Sequence, residues 1–142
     1  MSLRVRARAR RHGDGAHRGA AAVEFALILP VLAIILFGII NFGFMLSDRQ
    51  AVSQAAAEGA RAAAVSLANK EAAGESAITD ALTTQRLSCA GATCDVTLAP
   101  CDNETGIECA TARVSLPYTP PIPGFDLVFP DRLTYTAVAR TS

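Results

Sequence analysis

Hydrophobic and polar positions change rhythm several times along this chain. From Phe25 to Ser47 there is no rhythm at all: FALILPVLAIILFGIINFGFMLS contains no charged side chain. An apolar run of about 20 residues can cross the hydrocarbon core of a bilayer as a helix, which satisfies its backbone internally. The run predicts one transmembrane helix over 20–47. Asp48 to Asn69 is rich in alanine, with Glu58 and Arg61 spaced to meet on one helix flank. The helix is therefore expected to continue outside the membrane over 48–74. Residues 20 to about 69 would make a rod of about 75 Å at 1.5 Å per residue. Pro30 removes one hydrogen bond inside it and should bend or loosen it there. Ser47, Ala51, Ala55, Gly59 and Ala63 recur every fourth residue. Such a stripe either admits another backbone closely or simply reflects high alanine content.

Beyond the alanine-rich stretch the period shortens. Gly74 marks a break, after which Ser76 can cap a second short helix through about Leu87, with Ile78, Leu82 and Leu87 apolar. Three alternating segments then read as strands. In the first, Val96 and Leu98 alternate with Asp95, Thr97 and Ala99. The second sets Val114, Leu116 and Tyr118 against Arg113 and Ser115. The third runs from Leu133 to Arg140, with Leu133, Tyr135, Ala137 and Ala139 on one side. Pro117, Pro120, Pro121, Pro123 and Pro130 confine Thr119 to Asp131 to a long ordered loop or edge. Neither a helix nor a small sheet buries its apolar face alone. The expected fold is α+β: a long amino-terminal helix and, over 75–142, a small head whose antiparallel sheet leans on the outer helix.

Formal charge is zero overall, but it is unevenly distributed. Residues 1–19 carry six arginines (Arg4, Arg6, Arg8, Arg10, Arg11, Arg18) against Asp14, a net charge of +5; the remainder is −5. Positive flanks stay on the cytoplasmic side, so everything after Leu46 is expected outside the cell. An arginine cluster could also serve nucleic acid; placed directly before an apolar span it reads instead as a topology signal, and no nucleic-acid partner is expected. A cleaved secretory signal has an apolar region of only about 7–15 residues followed closely by its cut site. Here the run is longer, and the small residues Ala51 to Ala57 lie beyond Asp48 and Arg49. Arg10 and Arg11 alone are weak support for a twin-arginine signal.

Glu24 interrupts the approach to the apolar run. A carboxylate inside a bilayer costs about 2.5–3.5 kcal/mol on insertion scales and usually has a partner. At the membrane edge, in the first turn of a helix, the dipole would favour it without one. Gly19 precedes Ala20, Ala21, Ala22 and Val23, so a cut after Gly19 would make Glu24 the fifth residue of a mature chain.

These residues resemble the prepilin processing motif of type IV pilins: a glycine before a small residue, Glu24 five positions on, Phe25 next, then an unbroken apolar helix. More narrowly, residues 18 to 65 resemble the TadE family, pilin-like proteins of the tight-adherence (Flp) pilus system. The order of Gly19, Glu24, Phe25, Leu29–Pro30, Gly38, Gly43 and the EGAR at 58–61 carries the likeness. The resemblance implies removal of 1–19 by a membrane aspartic prepilin peptidase cutting between Gly19 and Ala20. Small residues around the cut let an extended backbone enter a narrow cleft. The new ammonium, with a reference pKa of about 7.7–8, would pair with Glu24 of a neighbouring subunit. A buried pair adds little net stability, but misaligned neighbours would strand its charges, so Glu24 would set the register. The implied partners are other pilin-like subunits, the peptidase, the secretion platform and the lipid bilayer. The implied location is a bacterial cytoplasmic membrane with the head outside.

Cys89, Cys94, Cys101 and Cys109 all lie on the expected outer side, where thiols oxidise, and four cysteines favour two disulfides. Three pairings are open. Sequential closure, Cys89 with Cys94 and Cys101 with Cys109, is expected because both loops are short, and it would reinforce a core of only about 70 residues. Their spacing is no zinc-ligand pattern and no histidine follows His17, so no metal or other cofactor is expected. Asn103, Glu104 and Thr105 form a glycosylation acceptor that arises easily by chance. Asp126 and Asp131 read as turn residues. The acids do not converge at a catalytic spacing, and no enzyme is expected. A rival reading is a single-pass anchored, unprocessed domain whose head binds a ligand.

Overall fold

The computed structural model describes residues 14–101 and 106–141, with side chains from Gly19 onward. The elements are α1 (Asp14–Val65), α2 (Lys70–Thr84), β1 (Thr93–Pro100), β2 (Glu108–Pro117) and β3 (Arg132–Arg140). The class is α+β, with a long amino-terminal helix and a three-stranded antiparallel sheet in the order β1-β2-β3. Two compact units divide the chain, 1–38 and 39–142. The arginines at 4 to 11 and the acceptor Asn103–Thr105 lie outside the described residues.

In the first unit the described part is helix alone. Its large side chains from Val23 to Phe37 are exposed. Between Gly19 and Val65, α1 is long and apolar enough to cross a membrane, and its most apolar window is entirely unburied. The helix runs through Pro30 without interruption. It also begins upstream of the expected start at 20. The alanines at 20–22 are good helix formers.

The second unit holds the core. Val52, Ala55, Ala56, Ala60 and Ala63 of α1 join Ile78 and Leu82 of α2 and the inner face of the sheet. That face is set by register: Cys94 opposes Val114, which opposes Tyr135; Val96 opposes Ala112, which opposes Ala137; Leu98 opposes Ala110, which opposes Ala139. Alternation in β2 sends Ala110, Ala112, Val114 and Leu116 inward, all buried. Full burial of side chains such as Ile78, Leu82, Val52 and Val114 contributes about 1.5–3 kcal/mol each. On the outer face, Ser115 and Thr134 hydroxyls lie 2.8 Å apart, and Arg132 donates to Ser115 through Nε and Nη2.

The break between the helices is not at Gly74. α1 ends at Val65, and α2 begins at Lys70 and stops at Thr84, short of Leu87. Asn69 turns the chain in the left-handed region at φ 51°, a conformation asparagine tolerates, and Ser66 Oγ donates to the Ala68 carbonyl. Gly74 instead lies inside α2 because the two helices touch there. A Cβ on Gly74 would stand 2.8 Å from the Gly59 carbonyl oxygen, 2.9 Å from Val96 Cγ2 and 3.0 Å from Ala63 Cβ. A Cβ on Gly59 would overlap Ile78. The stripe Ala51, Ala55, Gly59 and Ala63 is thus buried within the chain's own head, while Ser47 remains exposed. The Glu58–Arg61 pair forms at 3.3 Å on the exposed flank.

Gly74→Ala tests this crossing. Alanine ordinarily gains about 1 kcal/mol over glycine in a helix. Here the added methyl meets backbone, and overpacking of that kind costs about 1–3 kcal/mol. Gly74→Ala is expected to lower the melting temperature of the head in detergent, whereas Gly43→Ala, whose Cβ would meet nothing within 4 Å, leaves it unchanged or slightly higher.

Candidate processing and assembly site

Gly19, Ala20, Glu24 and Phe25 all stand exposed on the first-unit part of α1. Ala20 and Glu24 are four residues apart and so share a helix face. A Cβ on Gly19 would meet nothing within 4 Å. The bond between Gly19 and Ala20 lies inside the helix, not in extended backbone, so a peptidase cleft of the expected kind has to unwind α1 around that bond. Glycine eases that demand, being about 1 kcal/mol less favourable than alanine inside a helix. Glu24 is also well inside the intact helix, beyond the reach of its amino-terminal dipole. Removing the residues through Gly19 would bring it to the opening turns of a new helix. Among the described residues Glu24 makes no ion pair or hydrogen bond.

A second polar feature, absent from the expectations above, sits at Asn41. This asparagine is fully buried although it belongs to the apolar run. Its Nδ2 donates to the Ile122 carbonyl at 3.2 Å, and its Oδ1 accepts from the Ile122 N–H at 3.1 Å. The amide thereby reads both backbone groups of one residue and fixes the proline-rich connection between β2 and β3 on the helix. Tyr118 donates its hydroxyl to the Asn41 carbonyl at 3.3 Å, and its ring meets Phe129 with centroids 6.3 Å apart. Tyr118 N–H donates to the Asp131 carbonyl at 2.8 Å, closing the loop at its base. Burial raises the Tyr118 phenol above its usual range, with the Asp48 carboxylate adding to the effect, so it remains a donor at neutral pH. Burial likewise pushes the Asp48 carboxyl up. The sequence did carry a signal for this junction, since Asn41 is the lone side-chain amide in the run and a polar group there needs a partner.

The cysteines close as Cys89–Cys94 and Cys101–Cys109. The first staples the turn from α2 into β1, where Ala92 N–H donates to the Cys89 carbonyl; the second staples the β1–β2 hairpin, where Cys101 N–H donates to the Ile107 carbonyl. Among the described residues no three His, Cys, Asp or Glu side chains converge as a metal site. Asp126 and Asp131 are exposed on the loop.

An exposed apolar helix, long enough to cross a membrane, whose continuation contributes to the core of a small disulfide-bonded α+β head defines the class. Residues 19–61 match the TadE family, described as TadE-like protein. The match opens on Gly19 and ends on Arg61, so it covers the motif, the apolar run and the helix that enters the head. No curated protein and no solved structure matches the chain.

Two substitutions test the junction. Asn41→Leu leaves the Ile122 N–H and carbonyl without their partner, a loss of about 1–3 kcal/mol. Faster proteolysis within 118–131 and a lower melting temperature are expected. Asp48 has a raised pKa in the fold, so its stabilising contribution is present below the ordinary carboxylate range and lost as pH rises through the raised value. Asp48→Asn is expected to raise the melting temperature at neutral pH more than at pH about 3; equal changes at both would contradict this.

Proposed function

We propose that this protein is a TadE-like minor pilin or pseudopilin, working in biogenesis of a Flp-type pilus. The observation that carries the reading is the match over 19–61, which begins at the glycine of the processing motif. The leader 1–19 stays in the cytoplasm, the apolar helix crosses the cytoplasmic membrane, and the head lies outside. Two disulfides support that placement, because they persist in oxidising compartments. Its work is packing rather than catalysis.

A prepilin peptidase removes the leader after Gly19 and exposes the Ala20 ammonium. Glu24 is available for it, since it is exposed and makes no ion pair with any of the described residues. In an assembly the ammonium of one subunit meets Glu24 of the next. Misalignment would leave both charges unpaired in a low-dielectric setting, a penalty of several kcal/mol, so the pair selects one register. Other pilin-like subunits and the secretion platform are the remaining partners.

One observation favours a rival: α1 continues through the Gly19–Ala20 bond without a break, as an unprocessed membrane anchor for a binding head would. Mass-spectrometric sequencing of the amino terminus, on protein purified from membranes of the native host, separates the two. A start at Ala20 is expected, and a fully retained leader contradicts processing. Glu24→Gln is expected to be processed normally yet recovered in assemblies at a small fraction of the wild-type level; normal recovery would refute the pairing role.

A further inference from the structure

We infer that the proline-rich loop between β2 and β3 is seated in the outer membrane–water interface, where Leu127 and Val128 enter lipid. The inference rests on the membrane-spanning reading of α1 and adds a second contact to it. Its starting point is the pair of hydrogen bonds between Asn41 and Ile122. They tie the loop to α1 inside the apolar run, more than a helical turn before Asp48.

Depth follows from helix length. Counted from Ala20 or from the start of the charge-free run at Phe25, a hydrocarbon core of about 30 Å at 1.5 Å per residue ends between Ile40 and Phe44. Asn41 then falls at the outer edge of that core. Irregular backbone exposed to lipid is not tolerated deeper, because its N–H and carbonyl groups would lack partners. At the headgroup level water supplies them. The loop has few internal bonds of its own: Tyr118 N–H to Asp131 O, Val128 N–H to Phe125 O, and the Ile122 pair with Asn41.

The loop presents its apolar side chains outward. Leu127 is 101% and Val128 76% exposed, between Asp126 and Asp131. Phe42, Phe44 and Leu46, on the helix at the same level, are exposed as well. Asp126 and Asp131, with Arg132 beside them, give the loop no net positive charge to draw an anionic surface, so the surface it fits is zwitterionic lipid.

The chain has no tryptophan, so single-tryptophan variants of the full chain report depth in phosphatidylcholine bilayers brominated at shallow or deep acyl positions. Leu32→Trp reports the span, Leu127→Trp the loop, and Val138→Trp, on the exposed outer face of β3, the head away from lipid. The expected result is deep quenching of Leu32→Trp and shallow-dominated quenching of Leu127→Trp, several-fold stronger than that of Val138→Trp and independent of the lipid-to-protein ratio. If Leu32→Trp is quenched while Leu127→Trp behaves like Val138→Trp, the span stands and the loop inference falls. If Leu32→Trp is not quenched, the spanning reading fails and takes this inference with it. A blue-shifted Leu127→Trp that bromines do not quench, and that reverts on dilution with lipid, means a second copy covers the loop and overturns the proposal.

Discussion

At Asn41 a single helix passes from one kind of surroundings to another. Among the described residues up to Ile40 the large side chains of α1 are exposed to differing degrees, from Leu27 at 73% to Ile40 at 38%. From Asn41 onward the same helix has a buried amide, then a buried stripe of alanine and valine that forms the floor of the head. The amide makes the change abrupt, because a buried polar side chain without partners is costly and Ile122 supplies both a donor and an acceptor. The proline-rich loop is therefore held on the helix at Ile122.

Small residues do the corresponding work in the head. Gly59 and Gly74 let α2 lie against α1 at backbone contact, which in turn brings Ile78 and Leu82 over the sheet. The core built this way is rich in alanine and limited in size. Two short disulfide loops, each contributing about 2 kcal/mol by the chain-entropy relation, reinforce it at the turns on either side of β1.

Much of this was legible in the residues. The apolar run, the three alternating strands, and the helix–sheet packing follow from hydrophobic period alone, and the TadE-like segment from the order of Gly19, Glu24 and the EGAR. Of the three pairings open to the four cysteines, the one with the shortest loops, Cys89–Cys94 and Cys101–Cys109, is the one formed. Other features depend on tertiary context that period does not report. Gly74 looked like a helix breaker because glycine has poor helix propensity, yet its missing side chain is what the crossing requires; the turn instead uses the left-handed tolerance of Asn69. The small-residue stripe indicated close approach without saying of what, and the answer is the chain's own second helix. Asn41 was hidden by its neighbours: in a run read for its lack of charge, one neutral amide does not change the reading.

The chain holds two units of different character: a described helix with exposed apolar side chains before Ile39, whose residues from Gly19 onward match the TadE-like family model, and a self-contained head after it. The central claim is that the head depends on nothing before Ile39. The most direct measurement is the thermal unfolding of a chain beginning at Ile39, in the same detergent as the full-length protein and with both disulfides verified by mass. The account predicts one cooperative transition at an unchanged midpoint. A large fall in that midpoint, or no transition, would show that the apolar segment is part of the head's packing and would contradict it.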